Sequence, residues 1–508
     1  MNYLLGIDIG TTSTRSIIID EDGCLVASST KDYKLYIPKP GWAEQDPRDW
    51  WGAVAFTIKD ALSISNISPQ NIACIGLSGQ MHGSVFLDSS GEVIRPAILW
   101  NDQRTYRQCD KIYSIFGYEG FIKLSYNKAL PGFTAPKILW LKETEPDNYR
   151  KIYKILLPKD YIRYRLSGKY VSEVSDAAGT ILMDIPKRNW SDKILEGLKI
   201  NKSFLPDVYE STVVSSKVNK SASQLTGLVE GTPIVGGASD NAAGAVGSGI
   251  IKQGLISDSI GTSGVVFASS DTPLYDKEGR VHSFCHAVPK KWHLTGVTLS
   301  AAGSLKWYYD TFGPSKKIEN TYPHVKGYEL LNRQAENVPP GSGGLIFLPY
   351  LSGERTPHGD PYARGVFFGI SYPHSQDHFV RSIMEGVAFS QLDCLSLMRD
   401  VGISSDKVVL FGGGAKSRLW RQIIADILST KIVTLNIEEG PAYGAALLAG
   451  VGAGIYGSVE QAVDRTIKEV DQIEPIREDV EKYKKIYEVY KSLYRDLKED
   501  FRISNILC

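Results

Sequence analysis

Residues 236–264 read GGASDNAAGAVGSGIIKQGLISDSIGTSG, and the rest of the chain is arranged around them. An acidic residue, Asp240, stands isolated in small, flexible surroundings. A glycine-punctuated run from Gly244 to Gly249 follows, and then a tight turn, Ser259-Ile-Gly-Thr-Ser-Gly264. A carboxylate between glycines suits close approach to a ligand, because no Cβ stands between backbone and substrate. A Gly-Thr-Ser-Gly turn after a short strand offers backbone N–H groups and hydroxyls to an anion. The stretch reads as a catalytic base followed by a phosphate-gripping turn, near the seam between two halves of the chain.

Outward from this seam, the N-terminus carries a similar device. Residues 3–20, YLLGIDIGTTSTRSIIID, read as a hairpin: a strand to Ile9, a turn at Gly10 to Ser13, and a strand through Ile19. The segment from Leu255 to Ser269, with its Gly261-Thr-Ser-Gly264 turn, repeats that design about 250 residues later, which points to two similarly folded lobes. Between and beyond them strand and helix signals alternate, the pattern of an α/β protein. A third strand is expected at Leu25 to Ser28. Asp46-Pro47 opens a helix, with Asp as cap and Pro in the first position. Further strands are expected at Ile72 to Leu77 and Ser84 to Leu87, and helices near 102–116, 135–143 and 160–166. In the second half, Val408 to Phe411 reads as a strand ending in Gly412-Gly-Gly414, and Ser417 opens a helix from Leu419 to Leu428. Pro441 to Gly450 is a helix of small residues, suited to tight packing on a ligand or a neighbouring helix. Val480, Tyr483, Tyr487, Tyr490, Tyr494, Leu497 and Phe501 form one apolar stripe, predicted to pack a long C-terminal helix on the body.

A chain of 508 residues is too long for one core and should divide into two or three domains. Lys+Arg and Asp+Glu both number 57, so nothing in the net charge draws the protein to nucleic acid or an anionic membrane. The N-terminus enters a strand directly, with no basic region or cleavage site, and no apolar run reaches spanning length. A cytoplasmic protein without membrane or nucleic-acid partners is expected. Six cysteines, at 24, 74, 109, 285, 394 and 508, are scattered without a CxxC pair and read as free thiols.

Asp8 ends the first strand, facing the turn at Gly10, Thr11 and Thr12. There it can place Mg²⁺ while the turn takes phosphate oxygens, or it can simply cap the turn. Arg15 can reach a phosphate or lie on the surface. In Leu77-Ser-Gly-Gln-Met-His-Gly-Ser84, Gln80 and His82 can hydrogen-bond neutral hydroxyls and Met81 offers an apolar wall, although a lone His is more often structural. Trp100-Asn101-Asp102-Gln103 repeats the theme of an aromatic followed by a polar cluster. No HExxH spacing and no GxxxxGK[ST] loop occurs, which argues against a His-built metal site and a P-loop enzyme. The Gly412-Gly-Gly414 run lacks the later Gly and the acidic residue of a dinucleotide site, but Gly413 with Ser417 could accept a purine face. Asp240 would take the proton from an attacking hydroxyl, a single carboxylate being enough where phosphoryl transfer depends on positioning and charge neutralisation.

Taken together, GIDIGTTSTR, SDNAAG around Asp240, SIGTSG and FGGGAKSRLWRQIIADIL resemble the FGGY carbohydrate kinases. Within that family LSGQMHG, AILWNDQR, LPGFTAPKILW, LPKDYIRYRLSG and SDAAGT resemble the xylulokinases. The resemblance runs over nearly the whole chain. It implies an α/β fold of two ribonuclease-H-like lobes of the actin/hexokinase superfamily around a central cleft. The lobes would be residues 1–244, for sugar and the first phosphate loop, and 245–508, for nucleotide. It implies ATP-dependent phosphorylation of D-xylulose, in D-xylose catabolism, with ATP and Mg²⁺ as cofactors and a possible homodimer. Asp240 would be the general base. Gln80, Met81, His82, Trp100, Asn101, Asp102 and Asn241 would hold the ketose, and Asp8 the metal. Thr11, Thr12, Arg15, Gly261, Thr262, Gly303, Gly413 and Ser417 would line the ATP site. A kinase of gluconate or ribulose, or a non-catalytic ATP-binding regulator, are the alternative expectations, the second being the one that needs no sugar pocket.

Overall fold

The computed structural model describes residues 1–437 and 440–507. Strands β1 (Tyr3–Ile9), β2 (Ser13–Asp20) and β3 (Leu25–Asp32) form an antiparallel meander, the last running beyond the expected Ser28. Helix α1 (Pro47–Ser65) starts where Asp46 accepts a hydrogen bond from the Arg48 N–H, with Pro47 in the first turn, where its missing donor costs nothing. Strand β4 (Ile72–Gly79) then runs parallel to β1. After helices α2 (Pro158–Ser167) and α3 (Val174–Ala178), strands β5 (Val214–Lys217), β6 (Pro233–Val235) and β7 (Ala238–Ser239) complete the sheet. Its order is β5-β6-β4-β1-β2-β3, with β7 on the end of β4. Helix α4 (Asp240–Gly247) leads out of it.

The second sheet restarts with the hairpin of β8 (Ile256–Ile260) and β9 (Gly264–Ser270), followed by β10 (His282–Cys285) and β11 (Trp292–Thr298). Helices α5 (Ala302–Phe312) and α6 (Gln376–Asp400) precede β12 (Lys407–Phe411), α7 (Arg418–Leu428) and β13 (Lys431–Leu435). Helix α8 (Gly440–Gly452), β14 (Glu469–Ile473) and α9 (Arg477–Leu507) close the chain. The strand order is β10-β11-β9-β8-β12-β13-β14. In both sheets the hairpin's first strand pairs antiparallel with the second and parallel with a strand that returns after a crossover, β4 for β1 and β12 for β8. The likeness of the two glycine turns is thus a likeness of topology.

The largest core lies around α6, which is buried on all sides along its middle. The α9 stripe closes over it, as the periodicity predicts, and Tyr483, Tyr490, Tyr494 and Phe501 are buried there. Their hydroxyls find partners: Tyr483 donates to Glu385 (2.7 Å), Tyr490 accepts from Tyr350 (3.0 Å) and Tyr494 donates to Asp360 (2.9 Å). The small residues of α8 serve a different contact. A Cβ on Gly76 would stand 1.8 Å from the Ala445 carbonyl oxygen, and one on Gly444 1.8 Å from that of Ala243. Helix α8, late in the sequence, therefore lies directly on β1 and β4 of the first sheet and crosses α4. Tyr443 and Tyr456 extend this contact by donating to the Gly23 and Glu21 carbonyls, both at 3.0 Å. The expected lobe boundary at 244/245 falls inside α4. Among the described residues no helix is long and apolar enough to cross a membrane. The five described cysteines are free thiols, and Cys508 lies outside the described residues.

Candidate active site

Strand β7 delivers Asp240 to the end of the first sheet, beside Gly79 of β4. Ser239 caps α4, accepting from the Ala242 N–H (3.3 Å), and its own N–H donates to Ser175 Oγ (3.0 Å). Asp240 is the first residue of the helix, and its Oδ1 accepts from the Asn241 N–H (2.7 Å). Burial, and next the negative charge of Asp8, push its carboxyl up to about 7. Asp8 sits one residue before the end of β1, with Oδ1 enclosed and without a hydrogen-bond partner. Burial raises it to about 6, against the opposing pull of Ser78 and Arg15. Arg15 is the cross-strand neighbour of Asp8, and its Nε donates to Ser28 (3.1 Å).

A buried network supports this corner, and sequence reasoning did not single it out. Lys159 pairs with Asp160 (2.6 Å) and Asp176 (3.3 Å), all fully enclosed. Arg163 donates to the Val235 (2.7 Å) and Gly236 (2.6 Å) carbonyls just before Asp240. Glu173 receives the hydroxyls of Ser175 (2.8 Å) and Ser211 (2.6 Å), so the segment leading to Asp240 is held by charge-assisted bonds.

The first turn is knit from its own neighbours. Thr11 Oγ1 accepts from Trp100 Nε1 (2.9 Å) and donates to Gln80 Oε1 (3.3 Å), while Gln45 Nε2 donates to the Thr11 carbonyl (2.6 Å). Gln80 Nε2 bonds the Gly10 carbonyl (3.2 Å) and Gln45 Oε1 (3.1 Å). Gln80, expected at the sugar, gives its amide to the turn in this structure. Trp100, half-exposed, likewise gives its one donor to Thr11. Asp102, also expected at the sugar, is engaged by Arg104 at both its oxygens (2.7 Å to Oδ2) and by the Ala43 N–H (2.6 Å). Asn101 keeps a buried Oδ1 without a partner, and Thr12 stands at the exposed tip of the turn.

Met81, His82 and Asn241 do come together. Asn241 Nδ2 donates to Met81 Sδ (3.5 Å), and His82 packs edge-on against Phe133 (4.5 Å between rings). His82 adopts a left-handed backbone, φ 69°, and its carbonyl accepts from Thr134 Oγ1 (3.0 Å) and Lys137 Nζ (2.9 Å). Its Nδ1 lies 2.7 Å from the Gly179 carbonyl. A carbonyl only accepts, so Nδ1 carries the hydrogen and Nε2 is left as an acceptor. Burial, then the positive charge of Lys137, hold this imidazole neutral, well below its ordinary pKa. Gly179 permits the approach, because a Cβ there would stand 2.8 Å from the His82 ring.

The nucleotide residues expected in the second lobe meet in one cavity of 580 Å³, lined by Gly261, Thr262, Gly303, Gly413 and Ser417. The turn backs onto the start of α5, where the Ala302 N–H donates to the Gly261 carbonyl (2.8 Å) and the Gly303 N–H to that of Thr262 (3.1 Å). Ser417 caps α7 by accepting from the Trp420 N–H (3.2 Å) and donates to Asn332 (3.0 Å). Tyr328, Glu329 and Asn332, which no local signal marked, complete the wall from a separate helix. No three His, Cys, Asp or Glu side chains among the described residues form a metal cage. A lone carboxylate such as Asp8 suits Mg²⁺, which takes few protein ligands beside phosphate oxygens.

The chain is similar to known proteins over its whole length. The family model for the N-terminal domain of the FGGY family of carbohydrate kinases matches residues 3–247, and that for the C-terminal domain matches 257–453. A xylulose kinase of Bacillus subtilis (strain 168) is 40% identical over 499 residues, covering 98% of both chains. One of Escherichia coli (strain K12) is 41% identical over 450 residues, 88% of this chain and 90% of the other. The crystal structure of a ligand-bound xylulose kinase from Lactobacillus acidophilus superposes with a TM-score of 0.91 at 27% identity, covering 99% of each. Two repeated sheets, a carboxylate at their seam and matches to both domain models over residues 3–247 and 257–453 converge: the chain belongs to the FGGY family of carbohydrate kinases.

Proposed function

We propose that this carbohydrate kinase transfers the γ-phosphoryl group of ATP to the terminal hydroxyl of D-xylulose, giving D-xylulose 5-phosphate and ADP, a step in the use of D-xylose. The observation that carries the reading is the position of Asp240. It stands with Met81, His82 and Asn241 on one side and the first glycine turn, through Asp8, on the other. The relatives named above as xylulose kinases supply the sugar.

In this mechanism Asp240 accepts the proton of the C5 hydroxyl as that oxygen bonds to the γ-phosphorus. The bond from phosphorus to the bridging oxygen breaks, and ADP leaves with that electron pair. A base raised to about 7 is matched to such a proton transfer near neutral pH. Neutral His82 accepts a sugar hydroxyl at Nε2, with Asn241 and Met81 beside it. The turns at Gly10 and Gly261 offer N–H donors to phosphate oxygens, and Gly413 with Ser417 borders the adenine. Asp8 would hold Mg²⁺, which when bound neutralises phosphate charge. Closure of the lobes would exclude water, so ATP hydrolysis without sugar should be slow.

The test is ADP release with MgATP and, in turn, D-xylulose, D-ribulose, L-ribulose, gluconate, glycerol or no sugar. A clear kcat/KM maximum on D-xylulose supports the assignment. A maximum on another compound keeps the mechanism and replaces the sugar.

A further inference from the structure

Residues 353–356 form a loop between the strands Ile346–Leu348 and Val366–Phe368 and carry a cation, Arg355. The loop is fixed on both sides of Arg355. Glu354 Oε1 accepts from the N–H groups of Leu299 (3.0 Å) and Arg355 (2.7 Å). Thr356 donates its N–H to the Val297 carbonyl (3.0 Å) and its hydroxyl to the Arg280 carbonyl (3.1 Å), two residues from His282. The Arg355 guanidinium makes no ion pair or hydrogen bond among the described residues. Burial lowers its pKa, against the opposing pull of the neighbouring Glu354 carboxyl. A partly buried arginine whose donors meet no protein acceptor can give them to a ligand.

Its charge acts on a residue that the proposed function gives to the sugar. The positive field of Arg355 reaches His82 in the first lobe and His282 in the second. The two imidazoles bracket Phe133, at 4.5 Å and 5.5 Å between rings. His282 is buried, and its Nδ1 has no partner. From Asp240 the groups follow in order: Asn241 against Met81, then His82, Phe133 and His282, and the Arg355 loop is tied through Thr356 to Arg280, two residues from His282. The Arg355 loop and His282 therefore lie at the end of this row remote from Asp240.

We propose that Arg355, with His282 beside it, is the second lobe's grip on the sugar. On this view it donates hydrogen bonds to the C2 carbonyl and C1 hydroxyl of the ketose at the end opposite the phosphorylated hydroxyl. The inference rests on the kinase reading above. It assigns a recognition role to a residue outside every glycine turn. It also makes the sugar itself a bridge between the lobes, since Asn241 and His82 come from one and Arg355 from the other. A guanidinium only donates, so it suits a carbonyl or a carboxylate oxygen and gives no partner to an apolar methyl.

The experiment compares wild type with R355K and R355Q as full-length proteins, using MgATP with D-xylulose and with 1-deoxy-D-xylulose. The expected result is a KM for D-xylulose raised about 10- to 100-fold in R355Q and less in R355K, the range for loss of a charge-assisted bond. The KM for ATP should stay within about twofold, and the penalty should shrink on the 1-deoxy sugar, a substrate–residue coupling that a merely structural role would not produce. Melting temperatures of the free proteins control for folding, and the sugar-induced rise in melting temperature should vanish in R355Q. An unchanged KM for D-xylulose, or equal rises for sugar and ATP, overturns the proposal. If wild type acts on gluconate and not on D-xylulose, the substrate named above falls. Arg355 is then judged on gluconate, where the loss must be larger because its partner is a carboxylate.

Discussion

The acid limb of the pH–rate profile is the most direct consequence of the Asp240 environment. Burial and the nearby Asp8 move its carboxyl from 3.8 to about 7. That change corresponds to about 4 kcal/mol between the two protonation states. The base must be ionised to accept the hydroxyl proton, so kcat/KM for the sugar should be flat above neutrality and fall about tenfold per pH unit below 7. An exposed aspartate would hold the plateau to about pH 4. Because kcat reports the ternary complex, and a cation at Asp8 removes the like charge, the limb in kcat should lie at lower pH than the limb in kcat/KM. Asp240→Asn keeps the shape and removes the base, so kcat should fall by about 10²–10⁴ with a flat acid side. ADP release between pH 5 and 9 measures all of this. A wild-type limb below pH 5, or a limb near 7 that persists in Asp240→Asn, would refute the assignment.

Other substitutions separate the parts. His82→Ala should raise the KM for ketose far more than that for ATP, and the neutral imidazole should contribute no limb near 6.5. Ser417→Ala should do the reverse, raising the KM for ATP and costing about 1 kcal/mol of stability through the lost helix cap. Asp258 is buried, with neither oxygen hydrogen-bonded, and burial raises it to about 8. Its folded pKa exceeds its unfolded one, so the stability it contributes is full below about pH 4 and is lost as pH rises to about 8. Asp258→Asn should remove up to about 1.4 kcal/mol of stability loss per pH unit between 6 and 8, read by urea unfolding at each pH. Gly444→Ala would drive a Cβ to 1.8 Å from the Ala243 carbonyl oxygen, costing about 3 kcal/mol and displacing the helix that carries Asp240. Both melting temperature and kcat should drop.

The turns were legible in the sequence because their chemistry is local. Gly10 and Gly261 each follow a short strand, and their neighbours within a few residues decide the hairpin. Asp240 stood out because nothing near it in sequence could explain a charge among glycines and alanines. The bonds that Gln80 and Asp102 make within the protein were not legible. A polar side chain at a strand end can face a ligand or stitch a loop, and the choice depends on Gln45, Thr11 and Ala43, which arrive from other elements. Lys159, Asp160, Glu173 and Asp176 look in sequence like an ordinary solvated surface, and only the tertiary fold encloses them. Arg355 comes from a loop in the opposite lobe, so no spacing links it to His82.

The seating of α8 on β1 and β4 also bears on the order in which the chain can fold during synthesis. The first sheet's inner strands are made early, yet the helix that covers them on this side follows β4 by roughly 360 residues, about 20–70 s at common rates of chain elongation. Until then Gly6 and Gly76 present bare backbone, and Leu4, Cys74 and Val235 lack the cover of Tyr443, Ala446 and Leu447. The nascent first lobe must wait with an apolar face open, which is the interval in which a chaperone would be needed. A fragment ending at residue 244 should not reach the native state.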